Sequence, residues 1–552
     1  METEVILMRP DVADFYSGTS FGCHRFLGAH PAGEGWQFTV WAPHARRVQV
    51  LGDWNGWRHA AELAFCEDGL WRGSVREARE GQCYKYNIQC ADGSWRLRAD
   101  PFALGFELPP ATASRLTRPC PAAPVRCPVR EDRPAAIYEL HAASWRRHWD
   151  GRYYSGQELA AALIPWLQAH RFTHVELLPL AEHPFDGSWG YHGVGFFAPT
   201  ARLGGLAGFR ALVDALHAAG IGVLMDFVPL HFAPDEGFLA NFDGTPLFEC
   251  GPSDWGGLNF NWSSAPVRSF LQSAAAFWLE AGCDGLRVDA TGSALRQLPG
   301  ADPFLRGLTA GLRRRFPETV LAAEETDFAG ERLGFTYVWD TGWAFDTVAL
   351  LSAAPEERPG LARRMCGCMD IFFREKPINA LSHDWAGLVG RLWGSPAEKL
   401  AQARLLALMQ YTRPGKKLVF MGSEAGVWHG FDAGREPDWA ILGDADYAAL
   451  NGFYRSLGAL YEGHPALYEQ EYDERCFAWA LRGDAAFGWL RAAGGEVLLC
   501  LFNTLPSPVQ MQPDLHGFSR AEPVFTTGFA AAPFGDAVEL PGFGGGVWRL
   551  EK

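Results

Sequence analysis

Residues 285–291 read GLRVDAT and set Arg287 two positions before Asp289 inside an apolar run. In a β-strand, residues i and i+2 face the same side, so both charges point into one space. Burying charge is costly unless it is paired, and a paired buried charge is seldom kept for stability alone. Taken by itself the pair fits a structural salt bridge. Three other apolar runs end in the same kind of residue: DFVPLHF (226–232) holds Asp226 and His231, AEE (323–325) holds Glu324 and Glu325, and LSHD (381–384) holds His383 and Asp384. One acid at a strand end is commonly a helix cap or a loop anchor. Four acid-bearing ends on one face crowd like charges together, which fits a site where carboxylates do chemistry.

The chemistry that calls for such a group is cleavage of a glycosidic bond. One carboxylate attacks the anomeric carbon, and a second, kept protonated, gives its proton to the leaving oxygen. Arg287 favours the ionised form of Asp289, as a nucleophile requires. Glu324 lacks an arginine two residues away and is expected to be held protonated by neighbouring negative charge and partial burial. His231 and His383 can hydrogen-bond sugar hydroxyls, although a lone histidine is more often a satisfied core residue.

From about residue 136 the text alternates strand and helix. The strands are AIYEL (136–140), THVELLPL (173–180), IGVLMDFV (221–228), DGLRVDA (284–290), TVLAAEE (319–325), LGFTYVW (333–339), INALSHD (378–384) and KKLVFMG (416–422). Between them run helical segments such as SGQELAAALIPWLQAH, in which Ser155 and Glu158 have capping-box spacing, and LAGFRALVDALHAAG, closed by Gly220. Eight such pairs predict an α/β (β/α)8 TIM barrel, whose active sites sit at the carboxyl ends of the strands. No glycine-rich phosphate fingerprint follows the first strand, which separates this pattern from a doubly wound nucleotide-binding sheet. Short β-like runs at about 20–105 predict an N-terminal β-sandwich, a proline-rich stretch reads as a linker, and the β texture returns after about 465. The expected division is an N-terminal module at 1–115, a linker at 116–134, a barrel at 135–465 and a C-terminal all-β domain at 466–552.

The composition narrows the partners. The chain has 552 residues, too many for one simple core, with 48% hydrophobic and 20% charged residues, as in soluble globular proteins. Its 49 basic and 64 acidic side chains give a net charge of -15, which argues against nucleic acid and against anionic membrane surfaces. Twelve cysteines are scattered without metal-ligand spacing, CGC at 366–368 being the nearest approach to a pair, so free thiols in a reducing compartment are expected. The N-terminus METEVILMRPDVADF lacks the pattern of a signal peptide, and no apolar run is long enough to span a bilayer. A cytoplasmic enzyme with no cofactor and no metal is the expectation, its oligomeric state left open. Aromatic residues are plentiful, and exposed rings can stack on sugar faces.

The four motifs DFVPLHF, LRVDA, AEE and LSHD, in that order, resemble the conserved regions of the α-amylase superfamily, and within it the glycogen branching enzymes. IYELHAASWRR (137–147), EHPFDGSWGYHGVGFFAPT (182–200), AHRFTHVELLPL, FDGTPLFE, AEETDF, PGKKLVFMGSE and DWAIL (438–442) are similar to branching-enzyme text, and FTVWAPHARRVQVLGDWNGW resembles that family's carbohydrate-binding module. The likeness covers almost the whole chain. It implies Asp289 as the nucleophile that forms a covalent glucosyl-enzyme, Glu324 as the acid/base, and Asp384 as the group that binds the 2- and 3-hydroxyls. It implies Asp226, His231, Arg287 and His383 around the donor sugar, with Tyr191 stacking on it. The substrate would be an α-glucan such as glycogen or amylose, cut at an α-1,4 bond and rejoined through α-1,6, with retention by two displacements. The chain departs from the family after Asp384, where WAGLVGR (385–391) replaces the usual Glu and Val-Val-His-Gly-Lys, and at MGSE (421–424). The same acids would also serve an α-1,4-glucan hydrolase with water as acceptor, whereas a silent glucan-binding scaffold would be free to lose them.

Overall fold

The computed structural model describes residues 10–124, 127–325, 328–367 and 372–552. Residues 1–9, Val125 and Arg126 of the proline-rich stretch, Thr326 and Asp327 of AEETDF, and Cys368 of CGC lie outside the described residues.

Eight parallel strands close into a barrel in chain order. They are Ala136–Leu140, His174–Leu177, Gly222–Phe227, Gly285–Val288, Val320–Ala323, Tyr337–Trp339, Pro377–Leu381 and Lys416–Phe420, and the last pairs with the first. Every expected strand is present. The helix Gly156–Ala169 starts at the expected capping box: Ser155 Oγ accepts from the Glu158 N–H, and Glu158 accepts from the Ser155 N–H at 2.8 Å. Gly220 follows helix Gly205–Ala218 at φ +75°, a left-handed position that suits glycine. Two helices not anticipated from the sequence, Thr341–Ser352 and Arg358–Gly367, fill the long connection between the sixth and seventh strands.

The N-terminal strands form one antiparallel path that folds back on itself. Strand Gly35–Trp41 and strand Cys83–Gln89 are not neighbours in that path, yet the Phe38 and Tyr84 rings meet edge to face with centroids 5.3 Å apart. The sandwich core is therefore made by facing layers, with strand Gly35–Trp41 buried at all but Gln37 and strand Cys83–Gln89 alternating over most of its length. Trp54 packs on Phe38, whereas Trp57 is exposed and donates to Asp53. At the other end, Phe477–Arg482, Ala486–Ala493, Glu496–Asn503, Gly545–Glu551 and Arg520–Thr526 make a five-stranded antiparallel sheet. The proline-rich stretch is pinned rather than loose: the Ala123 N–H donates to the Glu280 carbonyl at 2.8 Å, and the Cys127 N–H donates to Asp284 at 3.0 Å. Among the described residues, no helix is long and apolar enough to cross a membrane.

Candidate active site

The residues singled out from the sequence converge on one mouth of the barrel. Asp226 lies at the end of the third strand, Arg287 within the fourth and Asp289 just after it, Glu324 directly follows the fifth, and His383 and Asp384 follow the seventh after Ser382. Tyr191, His231, Arg287, Asp289, Glu324, His383 and Asp384 line one cleft of about 350 Å³, with Phe185, Trp189 and Trp255 along its rim.

Arg287 is the centre of the arrangement. It is 1% exposed, and its Nη1 donates to both Asp226 oxygens, at 2.8 and 2.7 Å, and to Asp289 Oδ1 at 2.6 Å. Its Nη2 lies 3.2 Å from Glu324 Oε1. The guanidinium carbon stands 4.1 Å from the Trp339 ring centre, a stacked cation–π contact that fixes the plane of the fork. One cation thus touches three carboxylates from three strands. Glu324 has no arginine two residues away in the sequence, yet Arg287 reaches it across the barrel, because i+2 spacing reports only neighbours on the same strand. Glu324 Oε2 also accepts the Ala290 N–H at 2.6 Å, and Ala290 sits at φ +50° to present that N–H.

The electrostatics differ from the simple expectation in a second respect. Burial pushes the Asp289 carboxyl well above the usual carboxylate range; Arg287 opposes this, while Glu324 and Asp226 add to it. Arg287 therefore does not by itself hold Asp289 ionised as expected.

A second polar line runs beside the first. The Tyr191 hydroxyl donates to Asp226 Oδ2 at 2.7 Å and lies 3.3 Å from His383 Nε2. Glu139, on the first strand, accepts the His383 backbone N–H at 2.9 Å and faces its Nδ1 at 2.6 Å. Burial disfavours a charged imidazole, but the Glu139 carboxylate outweighs it and pushes His383 up to about 9. His383 Nε2 stands 3.7 Å from Asp384 Oδ1, and Asp384 also accepts from Ser382 Oγ at 3.2 Å. His231 is the opposite case: burial, then His192, pushes it down to about 4. Its ring stacks on Trp255 with centroids 5.4 Å apart, and both ring nitrogens lack a protein partner. It lines the cleft as a neutral ring. Glu139 and Trp189 lie within stretches quoted for the family resemblance but were not singled out there, and Trp255 and Trp339 were not singled out either; all four are recognised only once the strands close. Trp189 holds φ +58°, a costly position for a bulky residue, at the cleft wall. Among the described residues, no cluster of three or more His, Cys, Asp or Glu side chains is arranged for a metal.

A cleft with a buried nucleophile candidate, an adjacent carboxyl group and aromatic walls can cleave a glycosidic bond through a covalent intermediate. Comparison with known proteins agrees with that chemistry. The model of carbohydrate-binding module 48 (isoamylase N-terminal domain) matches residues 26–103. The chain is 37% identical to a 1,4-alpha-glucan branching enzyme of Nitratidesulfovibrio vulgaris over 90% of its own length and 87% of the relative's. It is 36% identical to a 1,4-alpha-glucan branching enzyme of Dechloromonas aromatica over 90% and 88%. Its fold is similar to that of a pullulanase from Anoxybacillus sp. LM18-11 in complex with maltotetraose, with a TM-score of 0.78 at 16% identity, covering 98% of this chain and 89% of that one.

Proposed function

The chain belongs to the family of 1,4-alpha-glucan branching enzymes, and from that premise we propose how its cleft cuts an α-1,4 glucan and rejoins the fragment through an α-1,6 bond. Asp289 attacks the anomeric carbon of the donor sugar while Glu324 gives its proton to the departing O4. The covalent glycosyl-enzyme then meets a sugar hydroxyl, Glu324 takes that hydroxyl's proton, and the configuration is retained by two inversions. The observation that carries this reading is the single guanidinium of Arg287 in contact with Asp226, Asp289 and Glu324. In both steps the proton moves between Glu324 and a sugar oxygen while Asp289 bonds to C1 or leaves it, and a cation shared by both acids offsets the negative charge that each gains or loses.

The remaining groups bind the donor sugar. Asp384, more than half exposed at the cleft, is placed to accept the 2- and 3-hydroxyls, and protonated His383 can donate to the same ring. His231 offers a neutral nitrogen, and Tyr191, fixed through Asp226, presents its ring to the sugar. The walls are neutral aromatic surface, which suits an uncharged glucan.

Linkage analysis on amylose tests the reading. Iodine staining should fall while few reducing ends appear, and α-1,6 signals should rise in the NMR spectrum. Many new reducing ends with no α-1,6 signals would make the chain a hydrolase. Asp289→Asn should lower turnover by several orders of magnitude with the fold retained, since the covalent step is lost; near-normal activity in that variant would remove Asp289 from the nucleophile role.

A further inference from the structure

One wall of the cleft is a single loop. Phe185, Gly187, Ser188, Trp189, Tyr191 and His192 all line the cleft, and all lie between the short strand Ala181–Glu182 and the strand Gly195–Pro199. Tyr191 reaches Asp226 and His383 from this loop, and the Trp189 ring stands edge-on to the His383 ring with centroids 5.8 Å apart. The loop holds an unusual backbone. Trp189 is left-handed at φ +58°, and Gly190 follows at φ +95°, where a Cβ would run into the Pro179 carbonyl. A bulky residue stays in that region only where its surroundings impose it.

Arg202, which does not line the cleft, is tied to both ends of the bend. It is 5% exposed and lies in the turn Ala201–Leu203 that leads into helix Gly205–Ala218. At the foot of the loop its Nη1 donates to Glu182 Oε1 at 2.8 Å and to the His183 carbonyl at 3.1 Å. At the turn that ends in Trp189 its Nε donates to Asp186 Oδ1 at 2.7 Å, and its Nη2 stands 2.6 Å from the same oxygen. Glu182 is fixed from its other side by the Ala201 N–H at 2.7 Å and the Thr200 hydroxyl at 3.1 Å. The Tyr153 hydroxyl donates to Asp186 Oδ2 at 3.0 Å, and the Asp186 carbonyl accepts the Trp189 N–H at 2.9 Å. Burial raises the Asp186 carboxyl, but Arg202 and then the Tyr153 hydroxyl outweigh it and hold it below the usual carboxylate range. A planar fork can serve both carboxylates at once, as an ammonium cannot.

We propose that Arg202 is a positioning residue for the reaction: by gripping Asp186 it holds Trp189 and Tyr191 against His383 and Asp226, and without that grip the donor sugar loses one wall of its site. The proposal rests on the reading of the cleft as a glucan-cleaving site given above. Arg202 touches no reacting atom, so its effect passes through the loop. The chain of contacts is short: the guanidinium fixes Asp186, the Asp186 carbonyl fixes the Trp189 backbone, and two residues later Tyr191 meets Asp226, which is itself held by Arg287.

The test counts bonds cut in amylose as new reducing ends plus new α-1,6 linkages, so that hydrolysis and transfer both register. Asp186→Ala releases the loop while Arg202 stays paired with Glu182, and the Asp186 side chain is already 40% exposed, so the fold should hold. In this variant, shown folded by circular dichroism at the assay temperature, kcat/KM should fall about tenfold or more, as for a displacement on the order of 1 Å. Arg202→Lys should show the same loss; it shares its buried place with Glu182, and if that variant does not fold, the Asp186 series decides. A double-variant cycle separates positioning from general support. If the effect passes through the loop, Asp186→Ala should cost at most about threefold more in a Tyr191→Ala background, whereas independent losses multiply. The proposal is overturned if folded Asp186→Ala keeps the unaltered kcat/KM, or if the two losses multiply in full. If the unaltered protein releases reducing ends but forms no α-1,6 linkages, the branching reading falls while the same series still decides the role of Arg202. If it cuts no glucan at all, both fall.

Discussion

At the scale of single residues, the site depends on one planar cation serving three anions. A guanidinium can do this because its nitrogens lie in a fixed fork; an ammonium is a point charge that satisfies one or two partners at a time. Arg287→Lys is therefore expected to release Glu324 or Asp226 from its contact and lower kcat by about a hundredfold or more, the effect of a misplacement on the order of 1 Å. The sign of the pH effect follows from the charges. Arg287 pulls the Asp289 carboxyl down while burial pushes it up. A weaker cation lets burial win further, so the acid limb of kcat/KM, which reports ionisation of the nucleophile, should move to higher pH. A pH–rate profile of the lysine variant that keeps the wild-type acid limb would show that Arg287 does not set the titration of Asp289.

At the scale of elements, Glu139 on the first strand and His383 beyond the seventh reach across the strand between them, since the eighth pairs with both neighbours. His383 carries a folded-state value of about 9 against 6.5 for a free histidine. A raised value means that the protonated ring stabilises the fold. The contribution is complete below about 6.5, declines above it and is gone once the pH has risen past about 9. The difference in thermal midpoint between the unaltered protein and His383→Gln should therefore be largest near pH 6 and shrink towards pH 9.5; a constant gap across that span would deny the ion pair. The same elements show what a reader of the sequence can recover. The barrel strands were legible because each is a short apolar run bounded by turn residues, and the strand-end acids stood out because charge is rare there. Glu139 was not, since it lies inside AIYEL and looks like one polar residue in an apolar strand. Nor was helix Thr341–Ser352, whose residues are mostly apolar on every side and show no clear helical stripe.

At the scale of the whole molecule, the N-terminal module and the barrel share one hydrophobic core and a set of buried polar ties. Helix Pro10–Ser17 lies against barrel helix Ala265–Glu280, where Gln272 donates to the Gly18 carbonyl at 2.8 Å and Ser269 donates to the Phe15 carbonyl at 2.9 Å. Arg98, on the last long strand of the module and 4% exposed, donates to the carbonyls of Phe242 and Asn241, both at 3.1 Å. Those two carbonyls belong to the long excursion that follows the third barrel strand and leads back to the strand bearing Arg287 and Asp289. The module thus braces a segment of the catalytic half, and the two should unfold together. Arg98→Ala leaves the buried Phe242 carbonyl without its partner, at a cost of about 1–3 kcal/mol, while the Asn241 carbonyl keeps the Gly244 N–H. Calorimetry should show the module and barrel melting in one transition that moves to lower temperature in the variant. Two separate transitions in the unaltered protein, or an unchanged midpoint in Arg98→Ala, would mean that the module is carried by the barrel without supporting it.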